Sequence, residues 1–135
     1  MVKVNTDLSK EQLQQAQDTM NYIKEHVIVK NKSGEYTINQ KELESPSFDD
    51  EEKKVIKNFV DFMNESQGVQ LKENAFTRCL QDALNISKSM AQEVAREVEK
   101  GNWLAAAGKL VSAGLFANPV SAFAFFMLCG AEPVS

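Results

Sequence analysis

The sequence predicts an all-α protein of five to six helices, with a central apolar helical hairpin at its C-terminal end. Two observations predict this fold. Apolar residues recur every three or four positions along most of the chain, which is the period of an α-helix. Charge is also distributed unevenly: residues 101–135 contain only Lys109 and Glu132, so the whole net charge of −4 lies in the first hundred residues. A minor β-hairpin at 27–38 is the one expected departure from helical structure.

The first helix has a clear N-terminal signal. Ser9 and Gln12 have the spacing of a capping box, and Leu8 and Leu13 occupy the positions of a hydrophobic staple. The apolar residues that follow form one narrow stripe suited to packing on another helix: Leu13, Ala16, Met20, Ile23 and Val27.

Residues 27–38 favour β-structure. β-forming residues at 27–29 and 36–38 flank a turn-forming segment at 31–34 that contains Gly34. Because an isolated two-stranded hairpin is marginally stable, it would have to pack on helices. The alternative is that the first helix continues to about Lys30 and a loop follows.

A second helix is predicted to begin between residues 47 and 49. The acids at 49–52 would lie in its first turn, where they interact favourably with the helix dipole. Gly68 is the expected stop. The predicted buried face consists of Val55, Ile56, Phe59, Val60 and Met63.

Two further helices follow. The third is predicted to begin at Asn74, and the fourth to be capped by Ser87 and ended by Gly101. Asn102 is then the expected cap of the fifth helix. The third helix would bury Phe76, Cys79, Leu80, Ala83 and Leu84.

The last two helices form the predicted apolar hairpin. The fifth, of about 15 residues, contains Trp103, Leu110 and Leu115. Asn118 and Pro119 then form a strong start signal for the sixth, which is expected to run from Val120 to Leu128 or Cys129, with Gly130 just beyond its end at the C′ position. Residues 120–129 are apolar on all sides, so this helix belongs inside a protein, a membrane or an oligomer.

The chain is expected to divide between residues 67 and 73. Residues 1–70 are expected to form an acidic N-terminal helical region, and residues 71–135 a compact helical unit. The cysteines Cys79 and Cys129 both lie in the second part.

Composition and motifs argue against several classes of function. The acidic balance and the absence of a basic stripe do not suit binding to nucleic acid. No phosphate-binding loop, dinucleotide fingerprint, metalloprotease motif or nucleophile elbow is present. We therefore expect no enzymatic activity, no small-molecule substrate and no cofactor.

Two single features were considered as candidate sites. His26 has no partnered nucleophile or carboxylate in a recognisable motif, so a surface position at a helix end is expected. The acidic run at 49–52 lacks the alternating ligands and the central glycine of a calcium-binding loop. We therefore predict no metal site.

The two cysteines leave two alternatives open. A Cys79–Cys129 bridge would close a loop of about fifty residues and stabilise the fold by about 4 kcal/mol. Otherwise both are free thiols that pack as small hydrophobic residues.

The apolar hairpin also leaves alternatives open. Residues 103–129 carry one charge, Lys109, but neither predicted helix is long enough to cross a hydrocarbon core of about 30 Å alone. The hairpin could insert into a membrane as a pair, form the core around which the other helices pack, or be buried in an oligomer. The N-terminus has no apolar segment typical of a signal peptide, so the chain is expected either to stay in the cytoplasm or to have lost a leader.

The sequence resembles secreted bacteriocin-like proteins of Gram-positive bacteria. The resemblance is carried by residues 76–84 (FTRCLQDAL), by residues 98–110 (VEKGNWLAAAGKL) and by the apolar helix that ends at Cys129 and Gly130. Residues 22–29, residues 34–38 and an acidic helix ending near Asn64 are similar to the pro-region of those proteins. The chain is expected to depart from the pattern in having no leader, and its C-terminal unit is nearly neutral.

The resemblance implies a secreted, non-enzymatic protein whose C-terminal unit is held by a Cys79–Cys129 disulfide and acts on bacterial membranes. The acidic N-terminal region would cover the apolar helices until processing or target contact. The alternative is a cytoplasmic helical protein-binding module, of the immunity or adaptor type, with the apolar helix as its core. The residues expected to contact a membrane or a partner are Trp103, Leu110, Leu115, Phe116, Phe123, Phe125, Phe126 and Met127.

Overall fold

The structure is a computed structural model that describes residues 2–44, 48–65 and 75–134. In its first half, strand β1 (Val2–Asn5) precedes helix α1 (Lys10–Tyr22), a π-helical turn (Ile23–Val27), strands β2 (Ile28–Lys30) and β3 (Tyr36–Ile38), and helices α2 (Gln40–Leu43) and α3 (Asp50–Glu65). Helices α4 (Ala75–Leu84), α5 (Lys88–Glu99), α6 (Trp103–Ser112) and α7 (Pro119–Leu128) follow, and strand β4 (Ala131–Val134) comes last. The fold is mostly α-helical with minor β-structure, as the sequence predicts.

Local signals in the sequence account for most helix starts. Ser9 and Gln12 form both hydrogen bonds of the predicted capping box at α1. Ser87 caps α5 by accepting a hydrogen bond from the amide of Met90, and Asn118 caps α7 by accepting one from the amide of Val120. The predicted starts of these three helices are therefore confirmed.

The β-hairpin predicted at 27–38 is present. Strands β2 and β3 pair antiparallel, with Ile28 opposite Ile38. The side chain of Asn64 on α3 donates to the carbonyl of Tyr36 and accepts from its amide, at 2.8 Å each. This pair of bonds fixes the hairpin to a helix, which meets the condition for a two-stranded unit to be stable.

Helix α6 is shorter than predicted. It ends at Ser112 after 10 residues, whereas about 15 were expected. Gly114 lies in the left-handed region at φ +78°, its amide donates to the carbonyl of Val111, and the amide of Leu115 donates to that of Leu110. These two bonds form a Schellman motif, which ends the helix before Leu115.

Asn102 does not cap α6 with its side chain, contrary to the prediction. Its amide group donates instead to Glu97 at 3.1 Å. The cap comes from Asp7, whose carboxylate accepts a hydrogen bond from the amide of Leu104 at 3.2 Å. Ninety-seven positions separate these two residues, so no local pattern could have indicated the contact.

The two ends of the described chain meet. Strand β1 pairs with β4 in parallel, with Val2 opposite Ala131 and Asn5 opposite Val134. The sequence analysis missed this pairing, because strands of four residues give a weak signal and their partner lies at the other end of the chain.

One cluster of buried side chains contains residues from both parts of the predicted division. Helix α1 packs on α7, and α3 packs on α4. The predicted buried face of α3 is confirmed, with Met63 partly buried and Phe62 added to it. The expected stop at Gly68, the expected start at Asn74 and the division between 67 and 73 lie outside the described residues.

Candidate functional site

The residues predicted to contact a membrane or a partner lie in the core. Leu115 is half-buried, and none of the others exposes more than 9% of its surface. In this structure they could contact a membrane or a partner only after a rearrangement. The buried members of the set are Trp103, Leu110, Phe116, Phe123, Phe125, Phe126 and Met127.

Helix α7 is the centre of an aromatic network. The ring of Phe125 meets that of Phe59 on α3 edge-on at 6.0 Å, and Phe126 meets Trp103 on α6 edge-on at 5.7 Å. Phe126 also contacts the ring of Phe76 on α4. Such pairs each add about 0.5–1.5 kcal/mol to the gain from burial. An all-apolar helix is thus covered on several sides by other helices of the same chain.

Cys79 and Cys129 form a disulfide. Their Cα atoms are 5.7 Å apart, and the bond joins α4 to the end of α7. Of the two alternatives left open by the sequence, the structure has the bridge. It closes the chain across α5 and α6, so the apolar hairpin lies inside the covalent loop.

The N-terminal helices meet α7 at a second point, through a hydrogen bond. Glu52 in the first turn of α3 accepts a hydrogen bond from the hydroxyl of Ser121 in the first turn of α7, at 2.5 Å. Its other carboxylate oxygen accepts a hydrogen bond from the amide of Asp49. The carboxylate of Asp49 in turn accepts one from the amide of Glu52. Glu52 therefore links the start of α3 to the start of α7.

Glu52 is a buried carboxylate, with 8% of its surface exposed. Burial raises its pKa above the ordinary value, and the nearby Asp49 carboxylate acts in the same direction. The hydrogen bonds from Ser121 and from the Asp49 amide oppose this rise in pKa without cancelling it.

A crevice of about 370 Å³ opens beside this carboxylate, between α1, the start of α3 and the start of α7. We call it the Glu52 crevice. Two aromatic rings form part of its wall, and their centroids are 6.0 Å apart. Its main lining residues are Asp18, Tyr22, Phe48, Glu52, Asn118 and Ser121.

The sequence analysis did not single out the Glu52 crevice. It assigned Glu52 to dipole complementation in a first turn, and that role fits its place near the start of α3. Its contact with Ser121 spans 69 positions, so no spacing rule could have found it. The one signal available in the sequence was that the amphipathic pattern of α3 includes an acidic residue, Glu52, among its buried positions.

Two other predicted features can be placed. His26 is exposed at the end of the π-helical turn, and its ring lies 5.2 Å from that of Tyr22. Within the described residues, no group of three or more histidine, cysteine or acidic side chains is arranged to hold a metal ion.

No helix within the described ranges is both long enough and apolar enough to cross a membrane. Comparison of the chain with protein-family models, with curated proteins and with solved structures gives no match.

Proposed function

We propose that this chain is a secreted, non-enzymatic, bacteriocin-like protein that stores a membrane-active helical hairpin, α6–α7, beneath its acidic N-terminal helices. The observation that carries the proposal is the position of α7. This helix is apolar on all sides, yet α1 and α3, which come from the acidic part of the chain, pack over it.

The charge distribution supports separate roles for the two parts. Residues 1–70 carry the whole formal charge of −4, whereas residues 71–135 contain six basic and six acidic residues. An acidic cover keeps the stored hairpin soluble and is repelled by anionic lipid. Removing it would leave a neutral unit whose most apolar helix has lost its contacts with α1 and α3.

The disulfide supports an oxidising destination. Disulfides persist in secreted proteins and are rare in the cytoplasm of most organisms. Cys79–Cys129 joins two elements of the C-terminal unit to each other and none to the cover. The unit would therefore keep its internal connection while α1 and α3 move away.

The lengths of α6 and α7 restrict how they could act on a bilayer. Each has 10 residues and is about 15 Å long, roughly half of the hydrocarbon thickness. The hairpin would therefore enter one leaflet, or several copies would act together. In either arrangement, Phe123, Phe125, Phe126 and Met127 would exchange protein contacts for lipid.

The test is release of a dye from phosphatidylcholine vesicles. The intact chain is compared with the same chain carrying a protease site between residues 66 and 74, cut and then freed of its N-terminal fragment with the disulfide kept. We expect release from the cut protein and little from the intact one. Equal inactivity of both, with the disulfide verified by mass, would overturn the proposal.

A variant of the cut protein provides a matched control. Lys109 is exposed on α6 and is the only charge between residues 103 and 129. Lys109→Glu leaves the buried face unchanged but should reduce release, most strongly from vesicles that contain anionic lipid. If release is the same in Lys109→Glu on both vesicle types, α6 does not enter the lipid interface.

The burial of residues 122–127 of α7 favours a second candidate, a cytoplasmic helical module that binds a basic protein partner. Here α7 is a permanent core, and the exposed acids of α1 and α3 meet the partner. This candidate predicts that the cut protein simply unfolds. It also predicts free thiols at Cys79 and Cys129 in protein recovered from its host under alkylating conditions.

A further inference from the structure

We propose that the Glu52 crevice is a binding site for an organic cation, whose ammonium or guanidinium group lies beside the Glu52 carboxylate. The inference is independent of membrane activity, since it rests on the local chemistry of the crevice. It would hold equally for a secreted protein and for a cytoplasmic module.

Glu52 is a buried acid that forms no ion pair with any of the described residues. The Glu52 residue has 8% of its surface exposed, and the two donors that its carboxylate accepts hydrogen bonds from, the Ser121 hydroxyl and the amide of Asp49, are both neutral. The ion pairs among the described residues are Lys53–Glu44 and Lys54–Glu51, and neither includes Glu52. Because buried charges are normally paired, a cation is the group that this site lacks.

The wall of the Glu52 crevice is partly aromatic. The rings of Tyr22 and Phe48 both line the crevice, tilted by 33° to each other. Aromatic faces attract organic cations, and the attraction grows when water is displaced. Asp18 adds a second carboxylate from an exposed position on α1, and among the described residues that line the crevice none is basic.

The same features favour an organic cation over a metal ion. Two carboxylates on different helices and two aromatic rings do not form an oxygen cage for Mg²⁺ or Ca²⁺. A volume of about 370 Å³ is enough for a head group and a short alkyl chain. The apolar recess behind Glu52, near Phe116 and Phe125, holds only about 20 Å³, so the ligand would end at the carboxylate.

Two helix N-termini limit the affinity. Glu52 lies in the first turn of α3, and Ser121 lies in the first turn of α7. The positive ends of both helix dipoles stabilise the carboxylate but oppose a cation. We therefore expect dissociation constants in the millimolar range for small amines.

The ligand chemistry has two potential sources. The cation could be a free small amine, or it could be a lysine or arginine side chain of a partner protein. The two differ in what surrounds the charged group, because a peptide would also contact the mouth of the crevice near Asp18 and Asn118.

The test is a titration followed by amide chemical shifts at constant ionic strength. The probes are N-methylguanidinium, ethylammonium and N-methylurea, a neutral molecule with nearly the shape of the first. We expect saturable shifts at Thr19, Glu52 and Ser121 with the two cations only. Blocked lysine and arginine peptides form a second arm: tighter binding than the free amines identifies a protein side chain, and equal binding identifies a small molecule.

Three variants make the result decisive. Glu52→Gln should weaken cation binding at least tenfold and Asp18→Asn about threefold. Glu93→Gln, an acid in the separate groove between α5 and α6, should have no effect. The exposed Asp18 keeps the test valid even if Glu52→Gln folds poorly. Shifts that are absent, equal with N-methylurea, unchanged in Glu52→Gln and Asp18→Asn, or reproduced by magnesium chloride would overturn the proposal.

Discussion

Glu52 and Ser121 are 69 positions apart in the chain and form a hydrogen bond of 2.5 Å between the first turns of α3 and α7. The bond joins the acidic part of the chain to its most apolar helix. Since the Glu52 carboxylate is also buried, the stability of this contact depends on whether the carboxylate carries a charge.

The pH dependence of stability should therefore change in Glu52→Gln. Burial raises the folded pKa of Glu52, so between the unfolded pKa and the raised folded value the folded state binds more protons. The contribution of Glu52 to the free energy of unfolding consequently falls as the pH rises through this window. We expect Glu52→Gln to gain stability relative to the parent as the pH rises from the unfolded pKa of glutamate, about 4.3, through the raised folded pKa of Glu52.

Urea unfolding of both proteins at several pH values measures this difference. The other acids are the same in both proteins, so their titrations cancel in the comparison. A relative stability of the variant that falls with rising pH would mean that the folded pKa of Glu52 is depressed. Ser121→Ala is a useful companion, because it removes the donor and should raise the folded pKa further.

Removing the disulfide should destabilise the fold by about 4 kcal/mol, because the bridge closes a loop of 50 residues. The double variant Cys79→Ala and Cys129→Ala avoids burying new hydroxyl groups. Denaturant unfolding of the oxidised parent, the reduced parent and the double variant gives the comparison. Reduced parent and variant should agree, and a loss below 1 kcal/mol in both would contradict the expected constraint on the unfolded chain.

Asp7→Ala should cost about 1 kcal/mol, because it removes the side-chain cap of α6. Asn102→Ala is the matched control. It occupies the N-cap position but makes no capping bond, so only its exposed contact with Glu97 is lost. Thermal unfolding should rank the two variants clearly, and the reverse order would show that Asn102 caps the helix in solution.

Gly101→Ala should destabilise the protein more than Gly114→Ala. Both glycines have positive φ, at +88° and +78°, so each substitution costs roughly 1–2 kcal/mol in backbone conformation. At Gly101 the new Cβ would also lie 2.4 Å from the carbonyl oxygen of Asn5, whereas at Gly114 no atom of the described residues lies within 4 Å of it. The difference in unfolding free energy between the variants measures how firmly the end of β1 is held at Asn5, and equal losses would show that the backbone there moves aside at little cost.

The sequence by itself determined the helices whose signals are local. The capping box at Ser9, the caps at Ser87 and Asn118 and the spacing of apolar residues on α3 depend on neighbours within about four positions, so they can be identified without a fold. The same holds for the all-apolar character of α7, which predicted that it would be covered. The sequence could not indicate which elements would cover it.

Tertiary structure alone decided the contacts between distant positions. The parallel pairing of β1 with β4, the capping of α6 by Asp7 and the bond between Glu52 and Ser121 join residues that share no periodic pattern. The choice between a Cys79–Cys129 bridge and two thiols was of the same kind, because it depends on whether α4 lies beside the end of α7. Local propensity fixes where a helix begins, whereas the packing of apolar faces in one common core fixes which distant polar groups meet.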